Sequence, residues 1–288
     1  MITVLFDGLA WGTLLFVLAV GLSVTLGLMN FVNLAHGAFA MLGGYVTAAL
    51  LNRWGVPFLL CLPVAAAAAA VMGFILERTL YARLYEGASH LDQVLFSIGL
   101  VFMAMAVADY LMGARQQIVH MPAFLSGQVR LAPGIEVGAY RLFLIGVCGA
   151  LALGLHFFLV RTRFGSTLRA GVDNARVARA LGIDVGRIFS ITFAAGSALA
   201  GLGGALGADI LSLDPTFPVK YMVFFLVVVA VGGSGTVTGP LVASLLLGIC
   251  DAAGKYYLPQ IGAFIIYAVM VAVLILKPHG LFGRAVQR

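Results

Sequence analysis

Charge is what this chain most lacks. Only 10% of its 288 residues are Asp, Glu, Lys or Arg, against about 25% in a soluble domain. The shortfall is uneven. No charged residue occurs from Gly8 to Asn52, nor in Phe58–Leu76, Leu142–Val160, Ile188–Ala208, Tyr221–Cys250 or Tyr256–Leu276. Cysteine is scarce as well: Cys61, Cys148 and Cys250 all lie inside apolar stretches. Their spacing fits neither a metal site nor a disulfide framework, so they read as small apolar fillers. No segment has the form G-x-x-x-x-G-K-[ST], so a phosphate-binding loop of that kind is absent and this chain is not expected to hydrolyse ATP itself. No Ser-His-Asp arrangement is found, so catalytic and metal-ligating residues are both expected to be none. The first ten residues hold Asp7 and no Lys or Arg. That start lacks the positive region of a secretory signal, and the first apolar block is expected to be a retained span.

What is present is hydrocarbon, 62% of the chain. A bilayer core of about 30 Å is crossed by about 20 apolar residues as a helix, and backbone amides in lipid must be bonded within their own segment. The runs predict nine spans at about 8–28, 34–51, 58–77, 92–112, 141–160, 188–208, 219–233, 239–254 and 258–276. The expected fold is therefore all-α, a polytopic transmembrane helix bundle of about eight to nine spans, some short or broken, in one domain over 1–288. Its turn between the first two spans falls at Asn30-Phe31-Val32-Asn33, and its one sizeable external loop, 113–140, has turn residues for a short hairpin. Ala65–Ala70 is a small-residue run within a span, suited to close helix packing.

Loop charge orients the bundle. Segment 161–187 holds six Arg, and Lys/Arg-rich loops face the cytoplasm. Counting from it places the N-terminus outside and the C-terminus in the cytoplasm. The net charge of +6 then reflects positive-inside loops and not nucleic-acid binding. Tyr221–Cys250 is short for two crossings and long for one. It is expected to be two short helices meeting at Gly232-Gly233-Ser234-Gly235-Thr236-Val237-Thr238-Gly239-Pro240, and Gly/Pro-interrupted segments of this kind point to a transport site.

Within 161–187, residues 166–181 read as one short amphipathic helix. Leu168, Val172, Ala175 and Ala178 form a small apolar stripe, with Arg169, Asp173, Arg176 and Arg179 on another face. Asp173 is spaced to pair with Arg169 or Arg176. Gly182 suits the left-handed residue that ends such a helix, and Asp184 suits the cap of the span that follows. Such a helix is either a solvated or membrane-surface loop or a docking element for a partner.

Arg169-Ala170-Gly171-Val172-Asp173-Asn174 through Leu181-Gly182-Ile183 resembles the cytoplasmic coupling motif of ABC importer permeases, in which an acidic residue and a glycine about nine positions later contact the ATPase. Asp173 and Gly182 match those positions; many members carry Glu at the first. Gly21-Leu22-Ser23, Asn33-Leu34-Ala35-His36-Gly37, Met41-Leu42-Gly43-Gly44-Tyr45, the glycine hairpin 232–240, Phe193–Gly207 and the ending Lys277-Pro278-His279-Gly280-Leu281-Phe282-Gly283 are similar, in order, to the branched-chain amino acid permeases of that group. The resemblance implies an inner-membrane ABC permease carrying branched-chain or related amino acids. It implies a second, similar permease chain, two cytoplasmic ATPase subunits and an extracytoplasmic substrate-binding protein as partners. No cofactor is expected on this chain, because ATP and Mg would be bound by the ATPases. Urea, short amides or aromatic acids are alternative cargoes, and an ion-coupled secondary transporter is the alternative class.

The resemblance makes Arg169, Asp173, Arg176, Gly182 and Ile183 the candidate ATPase-coupling residues. For the substrate pathway the candidates are Asn30, Asn33, His36, Ser234 and Thr236. His36 is the lone Asp, Glu, His, Lys or Arg between Asp7 and Arg53; such groups face a bundle interior or a pathway, or bond a neighbouring helix. Asn30 and Asn33 read as caps or as donors to a substrate carboxylate. Ser234, Thr236 and Thr238 bond freed backbone or line the route. Asp109, Asp209 and Asp251 sit near span ends and are expected to be solvated at the interface.

Overall fold

The computed structural model describes residues 2–29, 33–83, 89–132, 135–233, 235 and 237–283. Nine helices match the nine expected spans: α1 (Ile2–Met29), α2 (His36–Trp54), α3 (Phe58–Thr79), α4 (His90–Met112), α5 (Ala139–Arg161), α8 (Val185–Gly207), α9 (Phe217–Gly232), α10 (Thr238–Tyr257) and α11 (Gly262–Leu276). Between α5 and α8 lie two short helices, α6 (Arg163–Asp173) and α7 (Ala175–Ala180). Strands β1 (Gln128–Ala132) and β2 (Ile135–Gly138) form an antiparallel hairpin in the long loop. The fold is an all-α bundle, as the apolar runs require. By length and composition, α1, α3, α4, α5 and α8 can each cross a membrane alone, and α9 and α11 are shorter apolar helices.

Local chemistry sets the helix ends. Ser89 Oγ accepts from the Asp92 backbone N–H at 3.2 Å while Asp92 Oδ2 accepts from the Ser89 N–H at 2.9 Å, a reciprocal cap that starts α4. Gly55, at φ +63°, closes α2 by donating its N–H to Leu51 O. The last carbonyls of α9 are met from far along the chain. Leu281 N–H donates to Val231 O at 2.7 Å and Phe282 N–H to Gly232 O at 3.2 Å. Helix-end carbonyls left without such partners would be costly away from water.

Helices α1 and α8 form the centre. In its most apolar window α1 is 78% buried, whereas α4 and α5 are 17% buried and turn Phe102, Met103, Leu153 and Phe157 outward. Lipid tails are as apolar as these side chains, so outward Leu and Phe are no defect; small residues instead let backbones approach. A Cβ on Gly21 of α1 would stand 2.5 Å from the Gly196 carbonyl oxygen of α8, and one on Gly248 of α10 would stand 2.5 Å from Gly12 of α1. Side chains larger than hydrogen would separate these pairs.

The alternating helices collect their connections at two ends. At one end Asn52 donates to Ile118 O, Gln117 N–H donates to Leu213 O, and Arg141 pairs with Asp7. At the other end Tyr81 meets Asn33, Arg169 meets Leu159, and Gly235 N–H donates to Ser23 O. The glycine turn and the α6–α7 arm therefore share an end.

Candidate functional site

The arm departs from the expected single helix over 166–181. It starts earlier, at Arg163, and breaks at Asn174. Thr162 caps α6 by accepting from the Gly165 N–H. Asn174 is extended, at φ −158°, and its Oδ1 accepts from the Arg176 and Val177 N–H groups at 3.1 and 3.0 Å. An Asn carboxamide competes with the helix for its own backbone, so the chain ends one helix and caps the next at a single residue. The expected apolar stripe is divided by this break, with Leu168 buried on α6 and Ala178 buried on α7.

Gly182 is left-handed as expected, at φ +82°. Its N–H donates to Arg179 O and the Ile183 N–H donates to Ala178 O, both at 3.0 Å. That pair of bonds is the Schellman closure of a helix. Among the described residues a Cβ on Gly182 would meet nothing within 4 Å, and the surface over it is open. Asp184 caps α8 by accepting from the Arg187 N–H. Arg169 Nη1 donates to Leu159 O at 2.5 Å, tying α6 to the end of α5, while the Asp173 side chain lies outside what the structure describes. Arg176 is exposed beside the apolar, exposed Val177 and Leu181. Those two apolar side chains at the arm's tip were not singled out in the sequence, where Leu181 reads only as the residue before a turn.

The root of the arm closes a cavity of about 220 Å³, walled by Leu168 and Arg169 of α6, Leu159 of α5, Val24 of α1, and Gly235 and Val237 of the glycine turn. Gly233 and Gly235 take φ of +87° and +83°, which glycine adopts without penalty. Ser234 and Thr236 lie outside the described residues, as does Asn30. Asn33 and His36 are described and buried. Asn33 Oδ1 accepts from the Ala35 N–H and from the Tyr81 hydroxyl, at 3.0 and 2.9 Å. His36 Nε2 lies 3.0 Å from Leu18 O of α1, and the ring meets Phe225 edge-on. Both side chains thus join α2 to its neighbours. Asp251 overturns the solvated expectation: it is 3% exposed and receives Lys255 Nζ at 2.7 Å.

An apolar helix bundle with a basic arm projecting from one end, rooted against a glycine turn, defines a polytopic membrane permease subunit. Residues 4–274 match the family model described as branched-chain amino acid transport system / permease component, and the chain belongs to that family. It is 26% identical to the high-affinity branched-chain amino acid transport system permease protein BraD of Pseudomonas aeruginosa, over 97% of this chain and 95% of that one. It is 25% identical to the corresponding permease protein LivH of Escherichia coli, over 97% and 94%. It is 24% identical to the permease protein LivM of the same organism, over 92% of this chain and 67% of that one. No solved structure matches the chain significantly.

Proposed function

We propose that this chain is a permease subunit of an ATP-driven importer that admits branched-chain or related amino acids to the cytoplasm. The observation that carries the reading is the α6–α7 arm. Its tip presents exposed Val177 and Leu181 beside exposed Arg176 and Arg179, ahead of the open, left-handed Gly182. Two apolar side chains flanked by two exposed arginines suit docking into a groove on an acidic partner. Arg169, Asp173, Arg176, Gly182 and Ile183 are assigned to contact with the ATPase subunits. ATP-driven movement of the arm reaches the bundle through the Arg169–Leu159 bond and the cavity wall shared with Gly235.

In this reading the arm end faces the cytoplasm, with the N-terminus outside, in an inner membrane. Substrate arrives from an extracytoplasmic binding protein. A second, similar permease chain completes the pore, and the match of this chain to both LivH and LivM of one organism supports such pairing. Asn30, Asn33, His36, Ser234 and Thr236 are assigned to the substrate route. The test is purification from the native membrane and ATPase assay in proteoliposomes. Recovery of an ATPase, lost on Gly182→Trp with the bundle still inserted, supports the proposal. Recovery of the chain alone, with uptake following an ion gradient, would replace it with a secondary transporter.

A further inference from the structure

At the end opposite the arm lies a larger cavity, between α1, α5, α9 and α10, whose volume of about 560 Å³ falls in the roughly 300–1,000 Å³ range of small-molecule sites. Two ion pairs line it. Arg141, at the start of α5, meets Asp7 of α1 at 2.5 Å, and Lys255 meets Asp251 of α10 at 2.7 Å. Helix α1 packs against both α5 and α10, so the pairs flank the same helix. The remaining wall is apolar and aromatic, with Trp11 meeting Phe224 edge-on at 6.1 Å and Tyr256 nearby in the lining. The Trp11 indole N–H is buried and makes no hydrogen bond among the described residues.

We infer that this vestibule binds the zwitterionic head of an apolar amino acid, with Arg141 and Lys255 taking the carboxylate and Asp7 and Asp251 the ammonium. The inference deepens the importer reading, since it supplies that reading with an entry site on this chain. The charges argue for the ligand. Two carboxylates and two cations sum to zero, so the site favours neither an anion nor a cation as a whole, but it offers both signs to a dipolar molecule. The Arg141–Asp7 pair is partly exposed and such pairs contribute only about 0–1 kcal/mol to stability, so exchanging a partner for a ligand group there costs the fold little, whereas the buried Asp251 keeps Lys255 beside it while facing the ammonium. The aromatic wall takes a hydrocarbon side chain, and its burial adds to affinity in proportion to area.

The test is equilibrium binding of radiolabelled leucine to the full chain in lipid nanodiscs, with no partner subunits present. Saturable binding is expected. Unlabelled leucinamide, which lacks the carboxylate, and 4-methylpentanoate, which lacks the ammonium, should each compete at least tenfold less well than leucine. Arg141→Gln should weaken leucine about tenfold or more, the loss of a charge-assisted hydrogen bond, while leucinamide competition stays within about twofold. A merely structural Arg141 would weaken both alike. No saturable binding, or equal competition by all three compounds, overturns the inference, and the competition series on the unsubstituted chain decides it even if Arg141→Gln does not insert. A chain that fails this test while the assembled complex hydrolyses ATP on transport loses the site and keeps the importer reading. Selective binding without any associated ATPase does the reverse.

Discussion

The Ser190 hydroxyl donates to Glu77 Oε2 at 2.5 Å across the α3–α8 interface, and both residues are buried. A buried carboxylate retains its place only with a partner. Ser190→Ala should therefore lower stability by about 1–3 kcal/mol, the cost of stranding a buried polar group. Glu77→Gln keeps an acceptor oxygen and should cost clearly less. In the double variant Ser190→Ala with Glu77→Leu part of the loss should return, since both partners are then apolar. Thermal unfolding of the detergent-solubilised chain measures all three, and equal losses in the two single variants would contradict this account.

The glycines between α1 and α8 are not equivalent. A Cβ on Gly21 would stand 2.5 Å from the Gly196 carbonyl oxygen, whereas a Cβ on Gly196 would stand 3.2 Å from the Gly21 oxygen. The first is a clash with backbone; the second asks for a shift of a few tenths of an ångström. Gly21→Ala should thus destabilise by about 1–3 kcal/mol, the usual range for overpacking, and Gly196→Ala by less. The melting temperatures of the two variants, taken in the same detergent, check the order.

Much of this bundle is legible in sequence because hydrocarbon length is a nearly sufficient signal for a membrane helix. All nine apolar runs became helices, and the glycine-rich stretch separated α9 from α10. Gly182 and Asp184 were readable because a left-handed end and an N-cap are local events. The break at Asn174 was also local. Its signal, an Asn with cap chemistry inside a helical pattern, is outweighed in a periodicity reading by the stripe that runs through it. What could not be read was tertiary. Tyr81 finds Asn33 across 48 positions and Ser190 finds Glu77 across 113. The partnership of Asp7 with Arg141 likewise depends on α5 folding back onto α1. Asp251 carried a hint, since Lys255 follows it at helical spacing, but burial of that face is set by neighbours that one helix does not specify.

Acid should loosen the loop between α8 and α9 at a defined point. Burial acts to raise the Asp214 pKa, but the Thr216 hydroxyl and N–H and the Lys220 ammonium outweigh it and hold it below its ordinary value of 3.8. A depressed carboxylate contributes stability that is complete above its unfolded pKa and is lost as pH falls through the folded one. The melting-temperature difference between the unsubstituted chain and Asp214→Asn should therefore stay constant from neutral pH to pH of about 4 and shrink only below that. Asp214→Asn serves as the reference because its amide does not titrate, so the pH dependence of other groups cancels in the difference. A transition well above pH of about 4 would show that another group governs the loop.

Gly182 is under two separable demands, one on backbone and one on space. Its φ of +82° costs a residue with a Cβ roughly 1–2 kcal/mol, and Asn less than others. Nothing among the described residues occupies the space a side chain would enter, so on the isolated subunit the backbone demand is the one felt. Gly182→Asn, Gly182→Ala and Gly182→Val should then disturb the end of α7 in that rising order, with little change in the melting of the whole bundle. In the assembled importer the order should change. A docked ATPase filling the open surface would penalise by volume, so that Gly182→Asn loses ATPase stimulation more than Gly182→Ala does. Measuring stimulation for the three variants alongside protease protection of 175–184 in the free chain separates the demands. Identical orders in both assays would mean that the backbone conformation alone is required, and that the proposed partner does not press against Gly182.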